Sequence, residues 1–208
     1  GIGKVKLFLN YLDNDQINNK LIKEIEFNNS ETYAEFNINN LVRLNLYQED
    51  IKTFTIVYES MNNKGAPTRV NFQLVYGSEH KDNINASINN SLTNEDIFIP
   101  KNKSSVTWCQ MLNKNNYKSQ AGICFFDRDN IPNNKKFEIS ISIYDESGCI
   151  SNYSINLGCL DSHIINSSDF NSKSEFIWIM AKTTKPRLSI FTFHTNLVSK
   201  ISSGEHGF

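Results

Sequence analysis

Apolar and polar residues alternate along most of this chain with a period of two. The clearest run is 136–145, Lys-Phe-Glu-Ile-Ser-Ile-Ser-Ile-Tyr-Asp. Phe137, Ile139, Ile141 and Ile143 fall on one side; Glu138, Ser140, Ser142 and Tyr144 fall on the other. A strand turns successive side chains to opposite faces, so this run predicts a half-buried β-strand with one apolar face. The same period predicts strands over 5–12 (Val5, Leu7, Leu9 and Tyr11 on one face), 21–27, 32–38, 53–59, 68–76, 105–112, 122–126, 149–157, 175–182 and 187–197. A shorter run, 97–99, stops at Pro100, and 41–51 fits a short helix or a corner as well as a strand. In the strand over 175–182, Phe176, Trp178 and Met180 alternate with the equally apolar Ile177, Ile179 and Ala181, which predicts burial on both faces.

Nine or ten strands with long connections and hardly a helical stretch predict an all-β fold, a two-sheet antiparallel β-sandwich of jelly-roll type. At 208 residues the expectation is a single jelly-roll domain spanning 1–208, with long Asn-rich loops at about 80–94, 113–120 and 161–174. A polar turn is expected over 13–20 and another over 62–67. In a jelly roll such loops gather at the two ends and offer a contact surface. No fixed repeat suggests a propeller or solenoid.

Composition adds material for a core but little chemistry. Phe occurs 14 times and Tyr 8 times, ample for packing between two sheets. The net charge is −1, and the basic stretches 101–103 and 182–187 are short. That balance excludes a dedicated nucleic-acid binder with a basic face or arm; any RNA contact is expected to be weak, with a shallow salt dependence. Asn occurs 30 times. Its glycosylation sequons begin at Asn28, Asn85, Asn89, Asn102, Asn152 and Asn166, about as many as chance placement gives. Neither a signal peptide nor a long apolar run is present, so no membrane association is expected.

Candidate reactive groups are scattered. Cys109, Cys124, Cys149 and Cys159 fit no paired zinc spacing and read as buried thiols, two disulfides being the alternative. His80, His163, His194 and His206 are isolated, and His194 reads as a sheet-face residue; a Ser–His or Cys–His site would have to be assembled by the fold. Asp127-Arg128-Asp129-Asn130 and Asp13-Asn14-Asp15 read as turn residues, not calcium loops. Trp108 and Trp178 read as core anchors. The sequence nominates no catalytic, cofactor-binding or metal-ligating residue, and the expectation is a non-enzyme without cofactors.

The C-terminal third carries a more specific pattern. A polar loop leads into Phe176-Ile177-Trp178-Ile179-Met180-Ala181. The connection Thr183-Thr184-Lys185-Pro186-Arg187 follows, then Leu188-Ser189-Ile190-Phe191-Thr192-Phe193. This stretch, 168–204, resembles the closing strands of the small capsid protein of plant picorna-like viruses, the secovirids that include comoviruses and cheraviruses. The resemblance implies a jelly-roll coat subunit cut from a polyprotein, for which an N-terminal Gly1 is suitable. It further implies assembly with other capsid chains into an icosahedral shell and a place in the virion, or in the host cytoplasm during assembly. The alternative is a secreted or cell-surface β-sandwich that binds carbohydrate or protein.

Overall fold

A computed structural model describes residues 3–27, 36–38, 40, 50–61, 71–76, 86–91, 104–125, 135–184 and 188–207. The strands expected at 32–38 and 97–99 lie largely or wholly outside them. The described residues are almost entirely strand, in antiparallel sheets, as the alternation required. Contacts divide the chain into two units, 1–70 and 71–208, where length alone had suggested one domain.

The first unit holds a three-stranded sheet in which β1 (Gly3–Asp13) lies between β2 (Gln16–Phe27) and β3 (Asp50–Ser60). The polar turn expected over 13–20 shrinks to Asn14 and Asp15, both with positive φ (49° and 61°). Two such residues make the tight hairpin turn whose twist matches the strands, and Asn and Asp tolerate it best after glycine. Gln16 therefore already pairs with Asp13, and the polar residues after it form a mostly exposed strand. Leu7 and Leu9 are fully buried, and so is Asn10. Asn10 meets its burial with cross-strand bonds: its amide donates to Thr53 and Thr55 Oγ1 at 3.0 and 2.8 Å, and its carbonyl accepts from Asn19 at 2.7 Å. Lys4 and Lys6 form a surface ladder with Glu24, Glu26 and Glu59.

The second unit contains a hairpin, β4 (Asn71–Tyr76) with β5 (Ala86–Ser91), and two four-stranded sheets. One sheet has the order β6 (Ser105–Leu112), β11 (Phe176–Thr183), β8 (Phe137–Asp145), β9 (Gly148–Leu157). The other has β10 (Ser162–Asn166), β7 (Tyr117–Phe125), β12 (Leu188–Asn196), β13 (Ser202–His206). Their inner faces share one core. Cys109 and Met111, Ile139, Ile141 and Ile143, Ile177 and Ile179 come from the first sheet; Ala121, Ile123, Phe125, Ile165 and Ile190 come from the second. This is a β-sandwich.

The pairing is nested. β8 and β9 form a hairpin, β7 pairs with β10 outside it, and β6 pairs with β11 outside that. The resulting ribbon folds over on itself, so that β8 also pairs with β11 and β7 with β12. The place beside β12 is taken by β13, which runs antiparallel to it, and β5 lies against β13.

Three stretches expected as loops contain strands. Residues 80–94 hold β5, 113–120 include the start of β7, and 161–174 hold β10 and a short 3-10 turn, Ser167–Asp169. In each the polar residues sit at a sheet edge or at a strand's end, where no apolar alternation marks them.

Candidate functional site

The outer face of the β6-β11-β8-β9 sheet differs from the sequence-based expectation. β11 buries Ile177, Ile179 and Ala181, but Phe176, Trp178 and Met180 on its other side are only half-buried. Among the described residues no third layer covers them, and they form part of a surface. Trp108 lies beside Met180 and is 49% exposed, and Val106 on the same edge strand is 52% exposed. Trp178 is flanked in register by Gln110 on β6 and Tyr144 on β8. Neither tryptophan is a core anchor, a correction that follows from parity: residues 106, 108 and 110 point away from the side that Cys109 and Met111 fill.

The register arranges this face in rows. Trp108, Met180, Ser142 and Asn152 cross the sheet in one; Gln110, Trp178 and Tyr144 cross it in the next. Aromatic faces alternate with amide and hydroxyl groups, and no charged side chain stands in either row. Such a surface can stack against a flat apolar ligand or seat a partner's side chains while its amides and hydroxyls satisfy polar groups.

The fold brings together a pair that sequence could not place. His194 on β12 and Ser119 on β7 face each other in register, both nearly fully buried, with His194 Nδ1 3.1 Å from Ser119 Oγ. A shallow cleft of about 280 Å³ opens beside Ser119, lined by Tyr117, Lys118, Asn166, Ser167, Ser168 and Leu197. A nucleophile–base pair needs a third group to orient the imidazole, and among the described residues no carboxylate bonds to His194. The pair reads as polar closure at one end of the core.

Burial lowers the pKa of His194 below the usual histidine value. The unfolded chain therefore takes up this proton more readily than the folded one, and stability rises with pH across that interval. The expected result is full stability above the ordinary histidine range and a decline as pH falls below about 6.5. His163, whose pKa is also lowered mainly by burial, adds in the same direction. His194→Gln should flatten this part of the profile, measured by urea unfolding at a series of pH values. Asp145, held low by hydrogen bonds from Ser147 and Ser172, contributes stability that is lost only at more acidic pH.

The remaining candidates stay apart. None of the four cysteines forms a disulfide: Cys109 and Cys159 are buried, Cys124 is half-buried and Cys149 is exposed. Burial, with a smaller push from Glu205, raises the Cys109 thiol to about 12; burial alone raises Cys124 to about 11, so neither is a thiolate at neutral pH. His163 half-faces the core from edge strand β10, and His206 bonds the Gly207 carbonyl. No group of three or more His, Cys, Asp or Glu positioned to hold a metal occurs among the described residues. Nor is any helix among them long and apolar enough to cross a membrane. His80, the 127–130 stretch and the sequons at Asn28, Asn85 and Asn102 lie outside the described residues. Asn152 is exposed on β9, while Asn166 bonds Gln120 and Asp169.

No known protein family, curated protein or solved structure matches this chain.

Proposed function

We propose that this chain is a structural subunit of an icosahedral viral shell, and that its second unit is a jelly roll. The observation that carries the reading is the nested pairing: β8 with β9, β7 with β10 and β6 with β11, rolled so that β8 meets β11 and β7 meets β12. A folded ribbon of this kind is how double-sheet jelly rolls, common among viral coat proteins, are wound. On this reading β13 occupies the first strand's usual place. The sandwich supplies rigidity, and its faces and end loops meet other capsid chains, the total buried area being divided among several neighbours. Its weak charge balance fits at most loose contact with genomic RNA, and its location would be the virion.

Electron microscopy and mass measurement of the protein as purified from its native source test this. A closed particle containing many copies, alone or with companion chains, is the expected result. A stable monomer from a source without virus would overturn it.

A second reading has its own observation in favour. The exposed Trp108, the half-buried Trp178 and Tyr144, and the neighbouring Gln110, Ser142 and Asn152 also suit a carbohydrate- or protein-binding sandwich. Two disulfides, which would stiffen such a secreted sandwich, are not formed by the four cysteines.

A further inference from the structure

Strand β9 ends its sheet, and among the described residues no strand pairs with its outer edge. The edge beyond β13 is met by β5, and Gly207, just after β13, reaches the backbone of β6, coming close to the Trp108 carbonyl. β10 is only five residues long. β9, at ten residues, pairs among the described residues with β8 alone. Among the described residues its one further backbone contact is a weak bond from Cys149 Sγ to the Ser151 carbonyl at 3.4 Å. Every second residue of an edge strand points its N–H and C=O outward, and natural edges are usually blunted by charge, proline or a bulge. β9, Gly-Cys-Ile-Ser-Asn-Tyr-Ser-Ile-Asn-Leu, has no charge and no proline. Its single irregularity falls opposite Ile143 and Tyr144 and leaves 151–157 in regular register. Tyr153 and Ile155 on the inner side are packed against the core yet only partly covered, so an added strand would complete their burial.

We propose that β9 pairs with the β9 of a second copy, antiparallel about a two-fold axis near Ser154, joining the two sheets into one of eight strands. The sequence suits itself in this arrangement. Across the axis Ser154 meets Ser154 and Asn152 meets Asn156 on the outer side, while Tyr153 meets Ile155 and Ser151 meets Leu157 on the core side. On the outer side hydroxyls and amides face one another, on the core side Tyr153 and Ile155 extend the core, and no like charges oppose. The pairing does not depend on shell formation: a two-fold dimer and a closed particle are separate observables.

The test uses the full chain at a range of concentrations, by sedimentation equilibrium and amide hydrogen exchange. The expected result is a reversible dimer, with alternate amides of 151–157 slowing as concentration rises. Ser154 is exposed, so Ser154→Lys leaves the monomer folded but sets two lysines opposite each other, weakening the dimer about tenfold. Mixing it with Ser154→Glu should restore pairing as a heterodimer. A chain that stays monomeric with fast-exchanging β9 amides would overturn the proposal, even if an extended peptide of another protein slows them. So would a dimer indifferent to Ser154→Lys.

Discussion

Ile141→Ala is expected to cost the second unit about 2–5 kcal/mol, whereas Trp108→Ala, on the same sheet, should cost only about 1–2 kcal/mol. Size alone would rank them the other way. Ile141 is fully buried between Ala181 on β11 and Tyr153 on β9, and its removal leaves a cavity that surrounding strands cannot close. Trp108 already leaves 49% of its surface to water, so about half of its transfer contribution is absent from the start. Denaturant unfolding followed by tryptophan fluorescence checks this directly, because Trp108 and Trp178 both lie in the second unit and Trp178 remains as a reporter in either variant. Equal losses would mean that the outer face is covered, and would remove the basis for treating it as an interaction surface.

That reversal shows where the sequence was legible. Strands β6, β8, β9, β11 and β12 lie within a residue or so of the alternation-based expectation, because each sets an apolar face against a shared core. Strands β5, β10 and β13 (Ala-Ser-Ile-Asn-Asn-Ser, Ser-His-Ile-Ile-Asn and Ser-Ser-Gly-Glu-His) escaped it. They are short and carry no run of alternating apolar residues, so pairing with a neighbouring strand is what defines them. Period-two reading also cannot tell a strand covered on both faces from one whose second face is an apolar surface; β11 was assigned to the first class and belongs to the second. The Ser119–His194 pair was invisible for a different reason. The two residues are 75 apart in sequence, and only the β7–β12 register brings them opposite each other. The nested ribbon is likewise set by strand pairing, since alternation carries no information about which strand lies beside which.

The last strand offers the other large effect. Gly207 N–H donates to the Ile190 carbonyl at 2.6 Å, tying the chain end to β12 as it passes β6. A Cβ at this position would stand 2.7 Å from the Trp108 carbonyl oxygen, 3.0 Å from Thr107 Oγ1 and 3.2 Å from Ile190 Cβ. The nearest of these is backbone in a paired strand and cannot swing aside. Gly207→Val is therefore expected to cost about 1–3 kcal/mol and to release the C-terminal segment, read as faster exchange of amides in 202–207. Gly158→Ala is the control: its added Cβ would meet only Asp161 Cβ, at 4.0 Å, and it should be neutral or stabilise by about 0.4–1 kcal/mol through the unfolded chain. If Gly207→Val behaves like Gly158→Ala, β13 is not held by the close passage between Trp108 and Ile190. The eighth place in the rolled ribbon would then be only loosely filled, and the jelly-roll reading would lose its closing strand.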